Sequence, residues 1–389
     1  MRHQRDWPLS FHWTGIDETH LVKAGIPISG RTALRGARCS LVAELLIAAG
    51  SGRSWVSYAR RPAYYACRRR YHGAAFTCRN MLRLVDELGS LGLINEDRAC
   101  PGRLGWQSRI AASPVLLDRF SKVPPLAFDP VEVMRLKNAE GELIDYADTE
   151  ETRRGRRRIQ ELNGAFASVR IGLPWLDREC GTGLVWVDGI AILTHKVAGY
   201  RVFKGSWTMG GRLYGPFWQT LPKSRRAQLT IDDSLVVEPD FHHLHPRLLY
   251  AQQGRQLGAD AYTLHGFEKH RRLVKLGWQI MINAHSRSAA VRALANRLGG
   301  PRHYSSASAM LAALENHHDP IRRAFYSGVG LILQRIDADL MMKVEGRCLA
   351  EGIVALPVHD SFIVASTKQG QVEEFMEQEL SITLRSLRF

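Results

Sequence analysis

The chain has 389 residues, 45% of them hydrophobic, and a formal net charge of +15. That length and apolar content exclude a disordered chain and allow two or three domains with real cores. No apolar run approaches the roughly 20 residues of a membrane span. The first residues, MRHQRDWPLSFHW, lack a signal-peptide core, so a cytoplasmic protein away from the membrane is expected. Six cysteines without a CxxC pair speak against a disulfide framework or a zinc ribbon and suit a reducing compartment. The cationic excess favours a polyanionic partner, although a generally Arg-rich proteome would leave the same mark.

In chain order, residues 1–40 are rich in Arg and Gly with little periodicity and read as an irregular arm. Ser40–Ala49 is the first clear helix, closed by Gly50-Ser51-Gly52. The segment Trp55–Tyr71 then interleaves five arginines with Tyr58, Tyr64 and Tyr65. Thr77–Leu91 carries apolar residues at 81, 84, 85, 88 and 91, which predicts an amphipathic helix with Thr77 as its N-cap. A GLIN strand (92–95), a basic turn RACPGRLGWQSR and the run IAAS follow. Helix, helix, strand and basic hairpin is the layout of a winged helix, in which one helix enters the major groove. A helical protein–protein module is the competing reading. In the first reading Arg68, Arg69, Arg70, Arg79, Arg83 and Arg103 are the expected DNA contacts.

Val123-Pro124-Pro125 reads as a linker. Glu132–Glu140 and Thr149–Arg170 read as helices, the second with RRGRRR at 153–158, either a solvated face or a phosphate grip. Gly181–Ile192 and Tyr200–Phe203 read as strands. The stretch MGGRLYGPFWQTLPKSRRAQLTI (209–231) pairs glycines with Arg212 and Gln219. Leu235–Asp240 is an apolar strand ending in an acid, and the stretch after it reads as a helix start. His270–Ala284 spaces Arg271, Lys275, Gln279 and Asn283 four apart, so all share one helical face. Two cations and two amides in a row suit a triphosphate at one end and a base or sugar at the other. Ile332–Glu345 is another amphipathic helix. Ile353–Val358 and Phe362–Val364 form a hairpin about His359-Asp360-Ser361. A lone Asp there would pass as a turn residue. A second strand-end Asp at 240 raises a different prospect: two acids converging on one sheet can hold two metal ions for phosphoryl transfer.

In this order the elements over about 209–385 resemble family A DNA polymerases and, more loosely, the single-subunit phage-type RNA polymerases. The resemblance rests on Gly211-Arg212-Leu213 … Gln219-Thr220-Leu221-Pro222 and on Asp240-Phe241 with His245 five past the acid. It rests also on Arg271 and Lys275, on Gln334 with Asp339-Leu340-Met341, and on His359-Asp360-Ser361. It implies an α+β right hand: a palm with an antiparallel sheet, helical fingers and a reduced thumb, besides the winged-helix-like domain. The implied divisions are 1–125, with the module at about 40–115; 126–205, linker and thumb-like region; and 206–389, palm and fingers.

The resemblance also implies roles. Asp240 and Asp360, with the Phe241 carbonyl, would hold two Mg²⁺, with Mn²⁺ as the alternative ion. Arg271 and Lys275 would bind a triphosphate, with His245, Gln279 and Asn283 around the nucleotide. Arg212, Gln219, Gln334 and His359 would meet primer and template. Gln279 and Asn283 replace the aromatic and tyrosine of the family, so nucleotide choice stays open, while His245 replaces the Glu that excludes a ribose 2′-hydroxyl in the family and is bulkier than the residue of the RNA polymerases, which favours a DNA product. No proofreading exonuclease is expected before residue 209. The expected partners are a DNA primer-template and dNTPs. An RNA polymerase or primase, and a non-catalytic DNA-binding regulator, are the competing functions. The His242-His243-x-His245 cluster is not expected to bind a metal, because neighbouring helical residues point in different directions.

Overall fold

The computed structural model describes residues 6–9, 14–66, 69–100, 107–181, 183–258 and 260–387. It is a mixed α+β chain with largely antiparallel sheets. Two compact units divide it: Met1–Arg201 with Tyr214–Val236, and Val202–Leu213 with Val237–Phe389. Residues 1–125 and 126–205 thus fall largely within one unit. No helix among the described residues is long and apolar enough to cross a membrane.

The first unit is built on helix Thr32–Gly50. Its residues are buried on every side from Ala37 to Ala48, with Arg38, Ser40 and Glu44 among otherwise apolar side chains. Helix Cys78–Ser90 packs nearby through Met81, Leu84, Val85 and Leu88, and Thr77 caps it by accepting from the Asn80 amide at 3.1 Å. The buried Arg38 guanidinium is neutralised by Glu87 of that helix. Strand Val56–Ser57 separates the two helices, and strands Ile94–Asp97 and Arg109–Ala112 follow. The four-stranded sheet runs Trp7–Pro8, Val56–Ser57, Arg109–Ala112, Ile94–Asp97. The basic turn expected between the last two strands lies largely outside the described residues.

Two expectations fail here. From residue 14 onward the expected arm is folded: Thr14–Ile16 pairs with Leu126–Phe128, Glu18–Lys23 is helical, and the long helix begins at Thr32. Its first turns bury Leu34, Ala37, Arg38 and Leu41 at helical spacing, and Arg38 within that stripe together with Gly36 beside it hides the period in the sequence. Nor is Glu132–Glu140 helical. Met134–Lys137 is a strand whose first three residues are buried, and Asn138–Gly141 turns the chain, with Asn138 accepting from the Glu142 amide at 2.7 Å. Asn-x-x-Gly is turn chemistry, and it overrides the helical reading. Val123 likewise is tied, its amide donating to the Cys180 carbonyl at 3.3 Å.

Glu150–Ser168 is the expected helix, with a reciprocal capping box between Thr149 and Thr152. Part of its basic run is internally neutralised: Arg156 meets Glu132 and Asp148 at 2.8 and 2.9 Å. The Gly181–Ile192 region is a meander of Arg178–Gly181, Leu184–Val187 and Ile190–Ile192.

In the second unit, helices Leu244–Gln252, Arg271–Asn283, Gly330–Ala350 and Gln369–Ser386 share one core with the hairpin Leu356–Val358/Ser361–Ala365. Helix Arg271–Asn283 buries Val274, Trp278, Met281 and Ile282. Gly277, mid-helix, is explained by a close approach: a Cβ there would stand 3.2 Å from Leu314 Cδ1. Gly330–Ala350 extends beyond both ends of the sequence-predicted helix and buries Leu333, Asp337, Leu340 and Val344 along one face.

Candidate active site

The site grows from two turns. His359 and Asp360 form a two-residue hairpin turn, His359 in the left-handed region at φ 59°. Ser361, expected in the turn, already pairs with Val358. The strand expected over Leu235–Asp240 ends at Val237, and Asp240 makes an isolated antiparallel bridge to Ser361. Around that bridge Phe241 N donates to Asp360 O at 3.1 Å, and Phe362 N to Pro239 O at 3.0 Å. Ser361 Oγ donates to Glu238 at 2.9 Å. The two acids, distant in sequence, are therefore locked side by side by main-chain bonds.

Both line a cleft of 390 Å³ together with Phe241, His245, His359, Arg212, Arg271, Lys275 and Gln279. Nine residues expected to form the site thus gather in one place. Asn283 and Gln334 do not line it: Asn283 Nδ2 donates to Gln279 O at 2.8 Å, and Gln334 sits on helix Gly330–Ala350. Gln219 belongs to the first unit, in the 3₁₀ turn Phe217–Thr220. Of the six N-terminal arginines, Arg68 and Arg103 lie outside the described residues. Arg79 and Arg83 are exposed on helix Cys78–Ser90, with Arg83 paired to Glu87 at 2.7 Å. Arg69 is exposed. Arg70 is engaged by Glu132, Asp145 and Asp148.

Four residues not expected at the site bear on it: Tyr262 and His243 line the cleft, while Asp260 and Asp337 hold side chains that do. Asp260 accepts from Arg271 Nε at 2.8 Å and from the Tyr262 amide at 2.7 Å. Burial opposes its ionisation, yet those two donors hold its carboxyl below the usual range. Tyr262 lies beneath Arg271 and Lys275, whose charges stand 5.5 and 5.6 Å from its ring centroid. Burial, and then the charge of Asp360, push its hydroxyl up to about 12. His243, left-handed at φ 53°, has its ring pKa lowered by burial. Asp337 is fully buried and binds Arg212 and His245. It did have a signal: positions 333, 337, 340 and 344 form a helical apolar stripe with one acid in it.

The donor set can be tested against divalent ions. Among the described residues no group of three or more His, Cys, Asp or Glu is placed to hold a metal. Two adjacent carboxylates facing a cleft do suit Mg²⁺, which keeps waters and takes phosphate oxygens to complete its shell. His242 Nδ1 stands 3.2 Å from Asp240 Oδ1, on an otherwise exposed ring that is free to turn away.

The site thus defines an α+β protein whose two acids share one cleft with Arg271 and Lys275. No family model matches the chain, and no curated protein matches it. Among solved structures it is similar to the POL domain of Pol1 from M. smegmatis in complex with DNA primer-template and dNTP. That alignment has a TM-score of 0.34 and 12% identity, covering 60% of this chain and 48% of that one. The chain spans about half the length of that structure's chain. A superposition so loose carries no argument; what bears on function is the acid pair and the cations that share its cleft.

Proposed function

We propose that the chain is a template-directed nucleotidyltransferase, a small DNA polymerase that adds dNTPs to a primer 3′ end. The observation that carries this reading is the main-chain pairing that sets Asp240 beside Asp360 in a cleft shared with Arg271 and Lys275. Asp240 and Asp360, with the Phe241 carbonyl, would hold two Mg²⁺. When bound, such ions neutralise phosphate charge and make the primer hydroxyl more acidic. Lys275 and Arg271 bind the triphosphate and hold it for in-line attack. Gln279, one turn beyond Lys275, meets the nucleoside. Buried Tyr262 and Trp278 close the floor beneath these groups and keep water from it. His359, held beside Asp360 by its turn, steadies the primer terminus.

The first unit supplies the tether. Its order of helix Thr32–Gly50, strand, short helices, helix Cys78–Ser90 and two antiparallel strands supports a winged-helix reading, with exposed Arg79 and Arg83 toward DNA. Linking a DNA-binding module to the cleft raises the local concentration of primer-template.

The test is primer extension with Mg²⁺, offering dNTPs and NTPs in parallel on primed and unprimed templates. Extension of primed DNA with dNTPs supports the proposal. Synthesis on unprimed template with NTPs would make the chain an RNA polymerase or primase. No incorporation of either, with DNA binding intact, would leave a DNA-binding regulator.

A further inference from the structure

A carboxylate taken out of water costs several kcal/mol unless cations and hydrogen bonds meet it. Asp337 is 0% exposed and is met from two directions. Arg212 Nε lies 3.2 Å from each of its oxygens, and His245 Nε2 lies 2.6 Å from Oδ2. Arg212 and His245 line the cleft, whereas Asp337 does not. The acid therefore stands behind both side chains and holds them from outside the cavity.

The rings give the order along the cleft. His243 to Tyr262 is 5.0 Å between centroids, Tyr262 to Trp278 is 6.1 Å, and Trp278 to His245 is 6.5 Å. Arg271 and Lys275 sit over Tyr262, so the cations occupy that end. A triphosphate drawn there leaves its sugar toward the opposite end, where His245 and Arg212 stand.

We propose that Asp337 is a positioning residue that sets the sugar selectivity of the cleft, by clamping His245 and Arg212 into a rigid wall at the sugar end. This rests on the nucleotidyltransferase reading and deepens it. An imidazole anchored through Nε2 cannot swing aside for an added 2′-hydroxyl without leaving a buried carboxylate short of a partner. Without the anchor the ring rotates among its rotamers and the wall yields. Preference for deoxyribose over ribose then depends on a residue that never touches the nucleotide.

The experiment compares wild type, D337N, H245A and the double variant as full chains. It measures KM and kcat for dATP and ATP on a primed template, and equilibrium binding of both nucleotides to a complex with a chain-terminated primer. D337N keeps the side chain's size and removes its charge. The expected result is a fall of about tenfold in the dATP/ATP ratio, carried mainly by the KM for ATP. H245A should give the same shift, and the double variant no more than either single one. H245A leaves Arg212 on Asp337, so it carries the test if D337N does not fold. Ratios within about twofold of wild type in H245A, and in a folded D337N, overturn the proposal. Should wild type extend no primer, the nucleotidyltransferase reading fails, and the binding ratios alone still support or overturn the clamp.

Discussion

Asp240 faces Ser361 across a single antiparallel bridge, and Phe241 N donates to Asp360 O at 3.1 Å beside it. Because these are main-chain bonds, the two acids stay adjacent whatever their side chains carry. Asp240→Asn and Asp360→Asn should therefore fold normally and bind primer-template as wild type does. If the proposed function holds, each should lose primer extension by about a thousandfold or more, since a carboxylate that would hold the metal is gone. Labelled dNTP incorporation beside a DNA-binding titration checks this, and activity retained in either variant sinks the assignment. EDTA should abolish extension and excess Mg²⁺ restore it.

Arg271 is shared between the cleft and Asp260, so a triphosphate bound as proposed would compete with a carboxylate for it. Arg271→Ala and Lys275→Ala should each raise KM for dNTP about 10–100-fold, the range of a lost charge-assisted contact. Asp260→Asn should move KM far less, because it removes a competitor along with a guide. Steady-state kinetics under single-nucleotide incorporation separate the three variants.

His318 links stability to acidity. It is fully buried, with Nε2 2.9 Å from the Ala261 carbonyl and Nδ1 3.2 Å from the Tyr250 hydroxyl. Burial pushes its pKa down to about 4. A histidine whose folded pKa lies below its unfolded value takes up protons first in the unfolded chain. Its stabilisation is whole above about pH 6.5 and is lost as the pH falls toward the folded value, amounting to about 2 kcal/mol by pH 5. His195, also about 4 through burial, adds a similar slope to the first unit. Melting temperatures across that window should fall for wild type, and less steeply for His318→Gln.

Arg79 and Arg83 project from helix Cys78–Ser90 on the side away from its core residues. If that helix meets duplex DNA, the double change to Glu should weaken binding to all sequences. It should also flatten the slope of log K against log salt by about 2, one unit per lost phosphate contact. Fluorescence anisotropy over a salt series reads both. An unchanged slope would place DNA elsewhere on the chain.

Where the chain's own pattern repeats, the sequence alone places the element. Helix Arg271–Asn283, with cations four apart and Trp278 on their side of it, stands where its spacing puts it. So does the capped helix after Thr77. The hairpin about Asp360 is legible because Val, Ile and Phe flank a two-residue turn. What escapes is non-local. Asp260 and Tyr262 sit in an aperiodic loop and acquire meaning only from Arg271, eleven residues away for the acid. Asp337 can be singled out as an acid in an apolar stripe, but its partners lie 125 and 92 residues distant. Strand Met134–Lys137 does alternate as Met-Arg-Leu-Lys, but four residues are too short a run to override a helical reading, and the burial of Arg135 is not foreseeable from its type.

The short excursion Val202–Leu213 belongs to the second unit although the chain on both sides of it belongs to the first. The polypeptide thus crosses between units three times, and no single cut separates them. A fragment starting at residue 237 would keep Asp240, Asp360 and the cations of helix Arg271–Asn283 yet lack Arg212, stranding Asp337 without its guanidinium. Dissecting the protein by truncation would therefore damage the half it meant to isolate, and a circular permutant or a grafted 202–213 ribbon is the sounder way to divide it.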